Sequence, residues 1–233
     1  MKNEILAIIP ARGGSKGVPR KNVRLLKGKP LMYYSIKVGL ESKYTNRVVV
    51  STDNEEIASV AKKYDAEVIN RPKEISGDET PTILVLQHIL KYLKEKQKYK
   101  PDIVVILQPT SPLRLVQDVD NCIEKLINEK CDSVMAVKRI DTPLEWMVKL
   151  DKNGKANNIF EQKVKFIRRQ DTEKIYIPNG AVYTTWTRVI REHKTFKGPD
   201  TRAIVMPYER SIDIDTELDF YIAEKLMIEN EGN

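Results

Sequence analysis

Short apolar runs alternate along this chain with longer stretches whose apolar residues recur at helical spacing. The runs at 5–9, 47–51, 67–69, 103–107, 133–137, 181–185 and 203–206 predict strands. Helices fall between them. Pro30 fits a first helical position ahead of 31–40. Asp53 with Glu56 reads as a capping box for a helix reaching Tyr64. Thr80 and Pro81 open a long helix in which Leu86, Ile89, Leu90 and Leu93 form one face. Val119, Cys122, Ile123, Leu126 and Ile127 share another face, and Thr216 with Asp219 makes a second box ahead of the last helix. This alternation predicts an α/β fold with a mostly parallel sheet and helices on both faces, built as one domain over residues 1–233. The rhythm breaks at about 138–178. There Asp151-Lys152-Asn153-Gly154 is a turn signal between two short apolar segments, and the stretch reads as an inserted hairpin or arm. Exposed arms dock on partner subunits, so a homodimer is expected.

The first predicted strand stops at Pro10 and opens into a loop with three glycines, Gly13, Gly14 and Gly17, and four cations, Arg12, Lys16, Arg20 and Lys21. Glycines let the backbone approach a ligand closely. Backbone N–H groups together with Arg and Lys are what a polyphosphate needs. The spacing is neither that of a P-loop nor the G-x-G-x-x-G of dinucleotide sites. A basic surface loop after a strand has the same letters. In open, Rossmann-like sheets ligands bind beyond the C-terminal ends of the strands, and this loop falls there.

Three further segments carry candidate chemistry. Residues 107–114 place Gln108, Thr110 and Ser111 between two prolines at the end of a central strand. Gln108 can donate and accept at a base edge or a sugar hydroxyl. An ordinary connection with Arg114 on the surface fits the segment equally well. In Ser211-Ile212-Asp213-Ile214-Asp215 the period of two puts both carboxylates on one face. Two like charges so close call for a cation, and Mg²⁺ is commonly held by one or two carboxylates with substrate phosphates. That explains Asp213 better than a simple helix cap does. Arg168-Arg169-Gln170-Asp171, by itself, reads as a solvated basic turn in the arm.

Charge and composition narrow the picture. The formal net charge of +7, from 40 Lys+Arg against 33 Asp+Glu, suits an anionic partner. Much of the excess lies on helix faces such as Lys91, Lys94 and Lys98, and no nucleic-acid-binding motif accompanies it, so nucleic acid is not expected. The two cysteines, Cys122 and Cys131, match no zinc spacing, and Cys122 lies on an apolar helix face as a core thiol. No stretch reaches the roughly 18 apolar residues of a membrane span. A soluble, cytoplasmic protein with no membrane partner is expected. His88 and His193 form no Ser/His/Asp or Cys/His constellation, so electrostatic, metal-assisted chemistry is favoured over nucleophilic catalysis.

Taken together, in order and spacing, 10–22, 50–53, 70–72, 107–114, 169–170, 179–181 and 211–219 resemble the acylneuraminate cytidylyltransferase family, the CMP-sialic acid synthetases, over nearly the whole chain. The resemblance implies a nucleotidyltransferase fold, with the inserted arm serving dimerisation. The implied reaction joins CTP and a nine-carbon 2-keto sugar acid to give the CMP-sugar and pyrophosphate. It assigns Arg12, Gly13, Gly14, Ser15, Lys16 and Lys21 to the triphosphate, and Asn22, Arg71, Thr80 and Thr82 to the nucleoside. Asp213 and Asp215 become ligands of Mg²⁺, and Arg12, Lys21 and both aspartates the catalytic set. Gln108, Arg169 and Gln170 face the sugar acid, Arg169 pairing with its carboxylate in place of the solvated turn. Phe196 is the nearest counterpart of aromatic residues that reach the sugar site from the partner, with Thr195 where a second aromatic can occur. Sialic, legionaminic and pseudaminic acids all stay open. An octulosonate cytidylyltransferase, a nucleotide-sugar-dependent glycosyltransferase and a non-catalytic nucleotide-binding protein are the alternatives. The first is disfavoured by the G-G-S-K-G run, the second by the late position of Asp213-Ile214-Asp215, and the third by the intact Asp213, Asp215 and Lys21.

Overall fold

The computed structural model describes residues 3–14, 17–160 and 173–229. Its centre is β1 (Ile5–Pro10), whose residues 5–9 are all buried because both faces of the sheet are covered. β1 pairs in parallel with β4 (Arg47–Thr52) on one side and β6 (Ile103–Ile106) on the other. β5 (Glu67–Asn70) extends the parallel ladder beyond β4. On the far side β10 (Ile175–Trp186) runs antiparallel to β6 and to β7 (Ser133–Ile140), and β11 (Thr201–Val205) closes the edge parallel to β7. The seven-stranded order is β11-β7-β10-β6-β1-β4-β5.

Alternation along the strands sorts the core into two layers. Ala7, Ile9, Val48, Val50, Ile103 and Val105 meet α1 (Leu31–Glu41), α2 (Glu55–Lys63) and α4 (Val116–Glu129). Leu6, Ile8, Val49, Val104 and Ile106 meet α3 (Thr82–Gln97) and α5 (Thr187–Glu192). A third cluster joins Val18, Leu26 and Leu31 to Ile212, Ile214 and Phe220. It packs α6 (Glu217–Glu229) near the short hairpin of β2 (Leu25–Leu26) and β3 (Lys29–Pro30). The isoleucines of the 211–215 segment are thus its anchor and leave the aspartates to the cleft side. Both cysteines are free and buried, and burial pushes the Cys122 thiol up.

All seven predicted strands lie in this sheet, and several predicted ends move. α2 is capped by Asn54, whose side chain accepts from the Ile57 N–H at 3.0 Å, and not by the Asp53–Glu56 box. Asp53 is taken up by a tertiary contact instead. Pro30 is extended, with ψ 140°, and precedes the first helical residue Leu31 rather than being it. Pro81 stands in the same relation to Thr82. The Thr216–Asp219 box is present, with Asp219 accepting from the Thr216 N–H at 2.8 Å.

The insertion contains the expected hairpin. β8 (Val148–Leu150) and β9 (Ala156–Asn158) pair across a turn in which Gly154 N–H donates to Asp151 O at 3.0 Å. The arm is not a separate appendage, because β7 and β10 run on past the core into it and pair from Ser133↔Thr185 to Ile140↔Ile175. The register shifts between Pro178 and Tyr183, where Pro178 lacks an N–H and Gly180 adopts φ +77°.

Candidate active site

The C-terminal ends of β1, β4, β5 and β6 converge with the 211–215 segment around a cleft of about 350 Å³. Eight of the predicted residues line it: Arg12, Asn22, Arg71, Thr80, Thr82, Gln108, Asp213 and Asp215. Lys21 reaches the carboxylate side, donating to Ile214 O at 2.6 Å and to Asp215 Oδ1 at 3.1 Å. Gly13 is tied to Asp53, its N–H donating to Oδ1 at 2.9 Å. Gly14 is exposed and does not line the cleft. Ser15, Lys16, Arg169 and Gln170 fall outside the described residues. Phe196 does not line the cleft; its ring lies edge-to-face with Tyr183 at 5.2 Å between centroids.

On the glycine-loop side, Arg12 forms an ion pair with Asp78, and Asn22 fixes the loop by donating to Arg12 O at 2.9 Å. Arg71 is buried, donating to Ser51 O at 2.9 Å, and desolvation pulls its guanidinium down to about 10. Gly17 passes so close to the 215 peptide that an added Cβ would lie 2.0 Å from Asp215 O, which no other residue type could meet without moving the loop.

The opposite side is built from 108–114. Arg114 is buried, not on the surface. Its guanidinium donates to Ser35 Oγ at 3.1 Å, to Ser111 O at 2.7 Å and to Gln108 O. The loop is joined to the segment that carries the aspartates because Ile214 N–H donates to Thr110 O at 2.8 Å. Beneath them Gly180 lies where a Cβ would come 2.6 Å from Gln108 Oε1 and 3.5 Å from Asp213 Oδ2. Lys138 approaches from β7, donating to Ser211 O at 3.3 Å beside the ring of Tyr208. Burial raises Asp213 above the ordinary carboxylate range. The Thr110 hydroxyl opposes that rise, and the Asp215 charge adds to it.

Asp213 and Asp215 fit a magnesium site. Oδ1 of Asp213 is buried with no hydrogen-bond partner among the described residues, while the Asp215 side chain is 74% exposed. No cluster of three or more ligating side chains exists among the described residues. Such an ion would complete its shell from phosphate and water, as Mg²⁺ commonly does.

Asp78, which lines the cleft, and Lys138 and Gly180, which lie behind it, are groups to which the sequence reading assigned no role. Asp78 lies in a loop without periodicity, and Lys138 has the appearance of an arm lysine. Gly180 could have been found from Asn179-Gly180 interrupting a strand.

A sheet of this order, with a cationic glycine loop facing paired carboxylates at its C-terminal edge, defines a nucleotidyltransferase. Two solved structures share the fold. A CMP:2-keto-3-deoxy-manno-octonic acid synthetase complexed with CTP matches with TM-score 0.71 at 15% identity, over 97% of this chain and 99% of that one. A 4-diphosphocytidyl-2C-methyl-D-erythritol synthase from Anaerococcus prevotii matches with TM-score 0.64 at 14% identity, over 97% of each chain. The family model described as Cytidylyltransferase matches residues 6–230, and the chain belongs to that family of enzymes. It is 35% identical over 231 residues to a CMP-N,N'-diacetyllegionaminic acid synthase of Legionella pneumophila, and covers 96% of each chain. It is 35% identical to a pseudaminic acid cytidylyltransferase of Campylobacter jejuni, over 97% of this chain and 96% of the relative. An N-acylneuraminate cytidylyltransferase of Escherichia coli is 34% identical over 96% of this chain, which spans only 52% of that relative. No helix among the described residues is long and apolar enough to cross a membrane.

Proposed function

We propose that the protein activates a nine-carbon 2-keto sugar acid with CTP, releasing pyrophosphate and the CMP-sugar. The observation that carries this reading is the meeting of Arg12, Arg71 and Gln108 with Asp213 and Asp215 in one cleft. In this reading Arg12, Lys21 and the glycine-loop backbone hold the triphosphate. Asn22, Arg71, Thr80 and Thr82 surround the nucleoside. Gln108 faces the sugar, and Arg169 with Gln170 receives its acidic end. Asp213 and Asp215 hold Mg²⁺, which when bound offsets phosphate charge and lowers the pKa of the attacking hydroxyl. The sugar's anomeric oxygen attacks the α-phosphorus, the bond from that phosphorus to the bridging oxygen breaks, and pyrophosphate leaves. The chain's own part is to align attacker and leaving group and to gather negative charge.

The arm supports a homodimer. Trp146, Val148, Leu150, Ile159 and Phe160 are all exposed on it, and large apolar side chains of this kind are what a subunit interface covers. A cytoplasmic location follows from the need for CTP.

The test is pyrophosphate release with CTP and Mg²⁺, offering N-acetylneuraminic, legionaminic, pseudaminic and the eight-carbon octulosonic acid separately. Release with one nine-carbon acid is expected and names the substrate. Release with the eight-carbon acid alone, or with none in a folded sample that binds CTP, overturns the reading.

A further inference from the structure

We propose that Arg114 is a positioning residue that sets Gln108 and Asp213 in register with one another. The inference rests on the reaction proposed above. The guanidinium is buried and does not line the cleft. It sits behind the loop and gathers two of its carbonyls, Gln108 O and Ser111 O, while gripping Ser35 Oγ on α1. A loop of this length has several ways to arrange its peptides. One planar donor, with its N–H groups in a fixed fork, selects the arrangement in which those two carbonyls turn inward.

Two consequences follow on the other side of the loop. The Gln108 side chain is directed over Gly180, the one residue type that leaves room for it. The Thr110 carbonyl is presented to the Ile214 N–H at 2.8 Å, which holds the backbone next to Asp213. One buried cation thereby couples the group facing the sugar to the group facing the metal. The nucleoside contacts hang from different elements, Arg71 from the end of β5 on Ser51, and Asn22 on Arg12 O. They are outside this linkage. A lysine at 114 keeps the charge but offers one point donor where the arginine reaches three acceptors.

The test is Arg114→Lys, with Ser35→Ala as a second variant that leaves the arginine in place and removes one of its anchors. Hydrogen exchange is read first, because it needs no substrate. Arg114→Lys is expected to speed exchange of the Ile214 and Ser111 amides at least 10-fold, with the β1 amides unchanged. In kinetics the sugar-acid KM and the Mg²⁺ concentration for half-maximal rate are expected to rise at least 10-fold, with the CTP KM within 2-fold of wild type. Ser35→Ala should move the same quantities in the same direction by a smaller factor. Unchanged Ile214 and Ser111 exchange overturns the inference. So does loosened exchange with no kinetic split, or an equal rise in all three kinetic constants. If Arg114→Lys does not fold, Ser35→Ala decides by the same criteria. Absence of wild-type turnover with every acid indicts the proposed reaction instead, and the exchange result still decides whether Arg114 sets the loop.

Discussion

On the glycine-loop side of the cleft Arg71 and Asn22 are buried, but the groups at the loop itself answer one another through partly exposed contacts: Arg12 with Asp78, and the Gly13 amide with Asp53. On the 108–114 side the polar groups are buried and bonded to backbone, with Arg114 inside the loop and Asn179 donating to Ser211 Oγ at 2.9 Å. The first side is organised by carboxylates standing where an anionic ligand would compete for the same donors. The second is organised whether or not a ligand is present. Exposed ion pairs contribute roughly 0–1 kcal/mol and are readily exchanged. A buried network is costly to disturb, because each group that loses its partner stays desolvated. Under the proposed reaction, the difference leaves adaptation to the side given to the nucleotide and fixed geometry to the side given to the sugar acid.

Substitutions on the two sides should therefore differ in kind. The largest effect is expected at Asp213. Asp213→Asn should lower turnover by about 10²–10³-fold, the scale of losing a group that stabilises developing charge. A pyrophosphate-release assay checks it, and near-normal turnover would remove Asp213 from the chemistry. Gly180→Ala comes next. Its φ of +77° and the 2.6 Å approach to Gln108 Oε1 predict a loss of about 1–3 kcal/mol in denaturant unfolding, with a rise in the sugar-acid KM. On the opposite side, Asp78→Asn should leave stability nearly unchanged and lower the CTP KM by up to about 5-fold, the equivalent of ~1 kcal/mol. A raised CTP KM would mean that Asp78 helps to hold nucleotide and does not compete with it.

The smallest effect follows from linkage. Burial raises Asp213, so the folded state keeps a proton that the unfolded chain has released, and stability falls as pH rises from the ordinary carboxylate value through the raised one. At pH 7 the charged carboxylate is a fixed penalty. In EDTA, Asp213→Asn should raise Tm at pH 7. The gain should vanish below about pH 3.9, where the carboxyl is protonated in both states.

How much of this was legible from the sequence divides along the same line. Apolar period and strand–helix alternation reported the sheet, because burial on both faces leaves a strand little choice but Ile, Val and Leu. The Thr216–Asp219 box was readable because its partners are three residues apart. The Asp53–Glu56 box failed because Asp53 and Asn54 are both good caps, and a distant amide, Gly13 N–H, claims the first. Arg114 defeated the reading for the same reason. Nothing near it in sequence shows that Ser35 and two loop carbonyls will enclose it. The cleft residues that were found rest mainly on family resemblance, since Arg71, Thr80 and Thr82 carry no local signature of their own.

The pairing of Ile140 with Ile175 makes the arm a cassette. The two residues face each other at the far end of the β7–β10 ladder, beyond its bulge. A tight turn, a hairpin or a longer insert can therefore be spliced between them without altering the register of any strand below. Everything past that rung can be rebuilt while the bulge that carries Gly180 beneath the cleft keeps its place.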